Sequence, residues 1–424
     1  MRLLLIHQYF AGPSEPGGTR HYELASHLVR QGHECTLVAS TLNYTSGQRA
    51  VEGWGLSVEQ NLDGIRVLRS YTLPLLHHSF AGRVLALISF MITSVWSALR
   101  AKNIDVVMGT SPPLFQAVSA WFVALIRRRP LLLEIRDLWP EFAIDIGLLK
   151  NPVLIKIARW VENFLYRRAT HLLVNSPAYR DYLLAKGVPD EKISVIANGV
   201  DPDMFSPEDD GHAFRNELKL GDKFVVTYAG ALGMANDIDT ILRAAARLRT
   251  DTRIRLVLVG DGKERPNLEA KAKRFELANI MFAGTRTKTA MRSVLAGSDA
   301  CVATLKNIPM FRTTYPNKVF DYMAAGRPTI LGIDGVIRKV VDAADGGIFV
   351  PPGDDRALAA ACQQLCDDRE RSRTMGLAAR RYVVEHFNRH HQGQDFVRLL
   401  EHLANVPKSE QGEPPVPDVR QTCV

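Results

Sequence analysis

The sequence predicts an α/β protein of two doubly wound, parallel-sheet domains, on three observations. Short apolar runs alternate with helix-period segments through the first half, a stretch of turn formers interrupts them after Val195, and the same alternation then resumes as far as Gly332. Alternation of this kind builds parallel sheets whose ligand crevices lie at the carboxyl ends of the strands.

Taken in order, residues 3–6 form a buried first strand, 19–30 a helix, and 34–39 and 65–70 two further strands. The apolar segment 84–98, VLALISFMITSVWSA, lies between Arg83 and Arg100 and is too short and too rich in Ser and Thr to span a bilayer. It reads either as a helix lying in a membrane interface or as a core helix of the first domain. Strands follow at 106–108, 131–135 and 171–175, separated by helices around 114–126 and 155–169. The run IANGVDPDMFSPEDDG has no periodicity and is rich in turn formers, which places a domain boundary near residue 200. The second half then reads as strands at 224–229, 255–259, 280–282, 300–303 and 329–332, with helices at 237–248, 267–275 and 288–296 between them. A helical tail from 356 to about 405 precedes the polar, Pro-rich segment 406–424, which is expected to be disordered.

A chain of 424 residues, 46% hydrophobic and 23% charged, is long enough for two or three domains with full cores and has an ordinary globular composition. The net charge of +8 suits an anionic partner, a nucleotide or an anionic lipid headgroup. Nucleic acid ranks last, because no basic stripe with interleaved aromatics is present. Five cysteines, odd in number and without metal-ligand spacing to histidines, read as reduced thiols of a cytoplasmic protein. The first apolar run ends at His7-Gln8 without a cleavage site, so no signal peptide is expected.

The densest chemistry lies in residues 315–330, YPNKVFDYMAAGRPTI. Pro316 and Asn317 open a helix, with Asn317 as cap, so that Lys318 and the first-turn N–H groups face one way and form an anion site. Asp321 lies at the same end, and Gly326 with Pro328 ends the helix. A capped helix with a solvated lysine and aspartate is the plain alternative. Three further patches follow strands: Gly17 and Gly18 in a turn before the first helix, Gly230 in YAGALG, and Lys263 and Arg265 in VGDGKER. Glycines there let backbone approach a ligand, and the two cations suit a diphosphate. In EIRDLWPE, Arg136 and Asp137 sit at a strand's carboxyl end, either as a structural ion pair or as functional groups.

Together, GGTRHYELASHLVRQGHECTLV, VIANGVDPDMFSP, YAGALG, VGDGKER and YPNKVFDYMAAGRPTI resemble the family 4 retaining glycosyltransferases of GT-B architecture, over roughly residues 1–400. The segment EIRDLWPE looks like the branch of bacterial surface-polysaccharide enzymes that includes O-antigen fucosamine transferase-like proteins. The resemblance implies two Rossmann-like domains facing across a cleft: 1–200 for the acceptor, 201–380 for the nucleotide-sugar, and a helix at 381–405 packing back on the first domain. It implies that Gly17 and Gly18 approach the donor diphosphate, that Lys263 or Arg265 and the helix end at Asn317-Lys318 compensate its charge, and that Gly230 belongs to the donor site. Asp321 accepts from the ribose, and Arg136 and Asp137 act at the sugar or acceptor. No metal cofactor is expected. The implied partners are a nucleotide-sugar, probed first as a UDP-sugar, a polyprenyl-diphosphate-linked glycan, and the inner face of the cell membrane, with no nucleic acid.

The chain departs from the family where a glutamate eight positions before Asp321 is replaced by Thr313. It departs again where the usual Gly-Arg and following lysine are Ala231 and the Asn236-Asp237 region. A UDP-GlcNAc 2-epimerase-like enzyme and a non-catalytic nucleotide-sugar or anionic-lipid binder are the alternative readings.

Overall fold

The structure, a computed structural model, describes residues 1–15, 17–43, 47–51, 55–76 and 79–405. The 406–424 segment expected to be disordered, and Cys423 within it, lie outside the described residues. Two compact units are formed. One comprises Met1–Gly12, Gly17–Ala197 and the chain from His390, and the other is centred on Asn198–Arg389.

The first unit contains strands β1 (Arg2–Ile6), β2 (Glu34–Ser40), β3 (Ser57–Leu62), β4 (Ile65–Ser70), β5 (Val106–Ser111), β6 (Leu131–Ile135), β7 (His171–Val174) and β8 (Ile193–Val195). They form one sheet in the order β3-β4-β2-β1-β5-β6-β7-β8. All neighbours are parallel except β3 on β4. The helices are α1 (Arg20–Arg30), α2 (Phe80–Arg100), α3 (Leu114–Arg127), α4 (Glu141–Asp145), α5 (Pro152–Arg168) and α6 (Pro177–Ala185). β3, SVEQNL, was not expected, because an exposed edge strand carries too few apolar residues to show a period. α5 starts where Asn151 accepts from the N–H groups of Val153 and Leu154, with Pro152 in the first turn.

The second unit has β9 (Phe224–Ala229), β10 (Ile254–Val259), β11 (Ile280–Gly284), β12 (Ala300–Thr304), β13 (Thr329–Gly332) and β14 (Gly347–Phe349), in the order β11-β10-β9-β12-β13-β14 and wholly parallel. Its helices are α7 (His212–Glu217), α8 (Ile238–Arg247), α9 (Arg265–Arg274), α10 (Met291–Ala296), α11 (Asn317–Ala324), α12 (Val336–Ala343), α13 (Asp355–Asp367) and α14 (Arg369–His386). The last helix, α15 (Arg389–Asn405), inserts Phe396, Leu399, Leu400 and Leu403 into the first unit's core beside Leu5, Leu28 and Leu37. The chain crosses back at His390 rather than at 381, because α14 packs on α11 within the second unit.

α2 has a buried stripe of Ala86, Phe90, Ser94, Ser97 and Ala98, while Leu85, Ile92 and Trp96 on its other side are exposed. By length and composition Ala81–Arg100 would suffice to cross a membrane. One face of this helix is nevertheless part of the first unit's interior.

The 196–205 connection is held by arginines. Arg20 donates to the carbonyls of Ile196 and Ala197. Arg389 donates to Gly199, and Arg380 to Phe205. Backbone carbonyls that lack a ladder partner thus receive charged donors.

Candidate active site

In each sheet the strand order reverses beside the first strand of the unit, and open parallel sheets bind ligands at the carboxyl ends there. In the first unit this point lies between β1 and β5, and in the second between β9 and β12.

At the first point a buried polar cluster is assembled around Glu134 of β6, which is fully buried. Its carboxylate accepts from Arg20 Nε at 2.8 Å and from His21 Nε2 at 2.5 Å. The His21 ring stands 4.0 Å from that of His7, whose Nδ1 lies 2.9 Å from Thr110 Oγ1. Burial pushes the Glu134 carboxyl up, but His21 and Arg20 outweigh it and hold the group well below the usual carboxylate range. Burial holds both imidazoles below theirs, against the opposing pull of Glu134 on His21. The cluster therefore sets one carboxylate against a guanidinium and two imidazoles whose charged forms burial disfavours. Glu134 and His21 were not singled out from sequence, although a glutamate inside the apolar run LLLEI was a usable signal.

The neighbouring Gln8 donates its backbone N–H to Gln116 Oε1 at 2.5 Å. Its own side-chain amide is buried, with neither polar atom bonded to protein. Gly17 and Gly18 are exposed just before α1, whose cap is Thr19.

Arg136 and Asp137 follow β6 and do not pair with each other. The Arg136 guanidinium donates instead to the Pro112 carbonyl at 3.2 Å. Asp137 is half-buried, and burial raises its carboxyl to about 6, against the opposing influence of Arg136 and a long hydrogen bond from the Tyr179 hydroxyl at 3.5 Å.

At the second point, Lys318 of α11 reaches back beneath the β9 loop. Its Nζ donates to the Tyr228 hydroxyl at 2.8 Å and to Asn236 Oδ1 at 3.0 Å, and stands 4.2 Å from the centroid of the Tyr228 ring. A Cβ on Gly230 would come within 2.9 Å of that Nζ. Burial lowers the amine to about 7, and among the described residues no carboxylate balances it. Lys318 thus brings an amine from α11 to the side chain of Asn236.

Asp321, one turn along α11, points elsewhere. Both of its carboxylate oxygens lie 2.6 Å from Lys288 Nζ. A common volume for Lys318 and Asp321, expected from their spacing, is therefore not formed, because each side chain has its own partner. Lys288 was not predicted, since nothing in a single sequence links positions 288 and 321. Asn317 is the first helical residue and is exposed, while Pro316 occupies the cap position, which corrects the expected cap. The reason is that Pro316 already has the extended backbone a cap requires, at φ −67° and ψ 121°.

Lys263 is exposed on the β10 loop. Arg265 is held by Asp261 at 3.2 Å and Glu269 at 2.7 Å, so two carboxylates already offset the charge expected to face a diphosphate. Gly260 packs so closely on the β9 loop that a Cβ would lie 1.9 Å from the Gly230 carbonyl oxygen. Thr313, where the family has a glutamate, donates to the Met310 carbonyl at 2.6 Å and caps its own turn.

Two family models match the chain. Residues 17–199 match a glycosyl transferase 4-like domain, and residues 223–368 match the glycosyl transferases group 1 domain. The chain is 25% identical over 320 residues to the putative colanic acid biosynthesis glycosyl transferase WcaI of Escherichia coli K12, covering 73% of this chain and 77% of that protein. It is 27% identical over 266 residues to a D-inositol 3-phosphate glycosyltransferase of Corynebacterium kroppenstedtii, covering 57% of this chain and 58% of that protein. Among solved structures, Anabaena HepE in complex with UDP and glucose superposes with a TM-score of 0.71 at 19% identity, covering 94% of this chain and 99% of that one. Set against these matches, the epimerase-like and non-catalytic readings give way to transfer. The two domain models, in chain order on two parallel-sheet units, show that this protein is an enzyme and belongs to the family 4 glycosyltransferases of GT-B architecture.

Proposed function

We propose that this enzyme moves a sugar, with retention, from a UDP-sugar to a polyprenyl-diphosphate-linked glycan at the cytoplasmic face of the membrane during bacterial surface-polysaccharide assembly. The observation that carries the donor half is Lys318, a partly buried ammonium with only neutral partners, at the point of the second sheet where ligands bind. The leaving group is a nucleoside diphosphate, so the developing negative charge needs fixed cations and N–H dipoles close by. Lys318 and the first turn of α11 supply them, and Gly230 keeps the approach open. Lys288 fixes the Asp321 carboxylate, whose remaining lone pairs accept from the ribose hydroxyls. The diphosphate charge is assigned to these protein groups and not to a metal.

In the first unit, Asp137 and Arg136 act at the sugar or the acceptor. Below pH 6 the Asp137 carboxyl holds a proton that it can donate; above that pH it accepts hydrogen bonds from sugar hydroxyls. Support for the donor class comes from the HepE complex with UDP and glucose, and for the pathway from the relative named for colanic acid biosynthesis. The reading is tested by nucleoside diphosphate release from a panel of UDP-, GDP- and TDP-sugars, with and without bacterial membrane extract. Release from one UDP-sugar only when membrane lipid is present is the expected result. Release that ignores the extract would remove the lipid-linked acceptor, and preference for GDP or TDP would remove the donor.

A further inference from the structure

The outward surface of α5 is unusual for the exterior of a folded domain. Val153, Leu154, Ile157 and Trp160 recur at helical spacing and are 64%, 43%, 52% and 65% exposed, leaving a continuous apolar stripe in water. α3 packs beside α5 and exposes Phe122, Leu125 and Ile126. The two helices are joined by aromatic contacts. Trp121 of α3 meets the Phe164 ring edge-on at 4.8 Å, and Phe164 stacks on Trp160 at 5.7 Å.

Charge is sorted along the same helices. Arg128 and Arg129 follow α3, and Arg167 and Arg168 close α5; all four are exposed. No acidic residue occurs from Leu114 to Arg129, and the single acidic residue of α5, Glu162, is fully buried and bonded to Lys186. A cavity of about 410 Å³ opens at the end of the stripe, lined by Trp160, Asn163, Phe164, Arg167 and Arg168. The Arg168 guanidinium lies 5.6 Å from the Phe164 ring centroid. An aromatic floor with two guanidinium groups suits a phosphate attached to a hydrocarbon.

We propose that α5, flanked by α3, is the surface by which this protein docks on an anionic phospholipid bilayer. Leu154, Ile157 and Trp160 enter the boundary between headgroups and acyl chains, and Arg167 and Arg168 hold lipid phosphate at the cavity. The proposal deepens the lipid-linked acceptor reading, on which it rests for its biological sense. It also relocates the contact, from the expected 84–98 segment to α5.

The test is co-sedimentation of the full chain with vesicles of phosphatidylcholine, alone or with phosphatidylglycerol. It reads no sugar transfer, so its failure is separate from failure of the transfer reading. Binding is expected only to the anionic vesicles and should weaken as salt rises. Ile157→Ser with Trp160→Ser should lower it about tenfold or more, and Arg167→Gln with Arg168→Gln should remove the preference for anionic lipid. Quenching of tryptophan fluorescence by lipids brominated on the acyl chain, lost in Trp160→Phe, reads the same contact should the serine variant fail to fold. Absence of vesicle binding, or binding unchanged in the α5 variants, overturns the proposal. So does binding lost only in Ile92→Ser with Trp96→Ser on α2, or a dimer in solution that the α5 variants dissociate.

Discussion

Lys288 Nζ lies 2.6 Å from both carboxylate oxygens of Asp321, joining the loop after β11 to the helix that carries the family's donor motif. The pair is largely shielded, with side-chain exposures of 13% and 19%. Removing Asp321 therefore takes from Lys288 the carboxylate it holds. Asp321→Ala is expected to weaken UDP-sugar binding at least several-fold by isothermal titration. In a double-mutant cycle with Lys288→Met the two effects should be non-additive by about 1 kcal/mol or more. Unchanged donor affinity in Asp321→Ala would remove this carboxylate from the site.

Lys318 makes donor binding a protonation event. Its amine is lowered to about 7 by burial, so at pH 8 the free enzyme holds it mostly neutral, and an arriving diphosphate raises it again. Titrations in two buffers of different ionisation enthalpy should show proton uptake, at most one per donor, that disappears in Lys318→Met. The same lowering means the unfolded chain binds the extra proton between pH 7 and 10.5, so this residue's cost to stability is full below 7 and relieved as pH rises. Chelation with EDTA is expected to leave turnover unchanged.

Asp137 should appear in the pH profile. With its carboxyl raised to about 6, kcat/KM should change across an ionisation near that pH, and Asp137→Asn should lower turnover by about 10²–10⁴ and abolish the inflection. An inflection that survives in Asp137→Asn would assign it to another group.

Glu134 is expected to matter for stability rather than for chemistry alone. Glu134→Gln leaves the buried Arg20 without its carboxylate, which should cost about 3–5 kcal/mol in denaturant unfolding at pH 7. Because its folded pKa is depressed, the contribution is present above the unfolded value of 4.5 and is lost as pH falls below it. The gap between wild type and variant should therefore narrow in acid.

Gly260→Ala should destabilise the second unit by about 1–3 kcal/mol, since the added Cβ would meet the Gly230 carbonyl oxygen at 1.9 Å unless the two loops part. Donor affinity should fall with it, because the same displacement moves Gly230 away from Lys318.

What the sequence by itself determined is the order of elements and the family. Strands such as 65–70, 131–135, 224–229 and 329–332 were legible to the residue, because buried parallel strands are continuous apolar runs ended by turn formers. The motifs YAGALG and YPNKVFDYMAAGRPTI were legible as family marks because each is contiguous in the sequence. Only the tertiary structure decided the partners. Lys288 with Asp321, Lys318 with Asn236 and Glu134 with Arg20 are separated by 33, 82 and 114 positions. Such pairings follow from which strand lies beside which, and no periodicity records that. Tertiary packing also decided charge and exposure. Arg265, read as a cation for a diphosphate, is held by neighbouring carboxylates, whereas Lys318, read as facing outward at the start of its helix, is partly buried. Whether an ionisable group faces water or protein depends on the layer packed over it, and that layer comes from elsewhere in the chain.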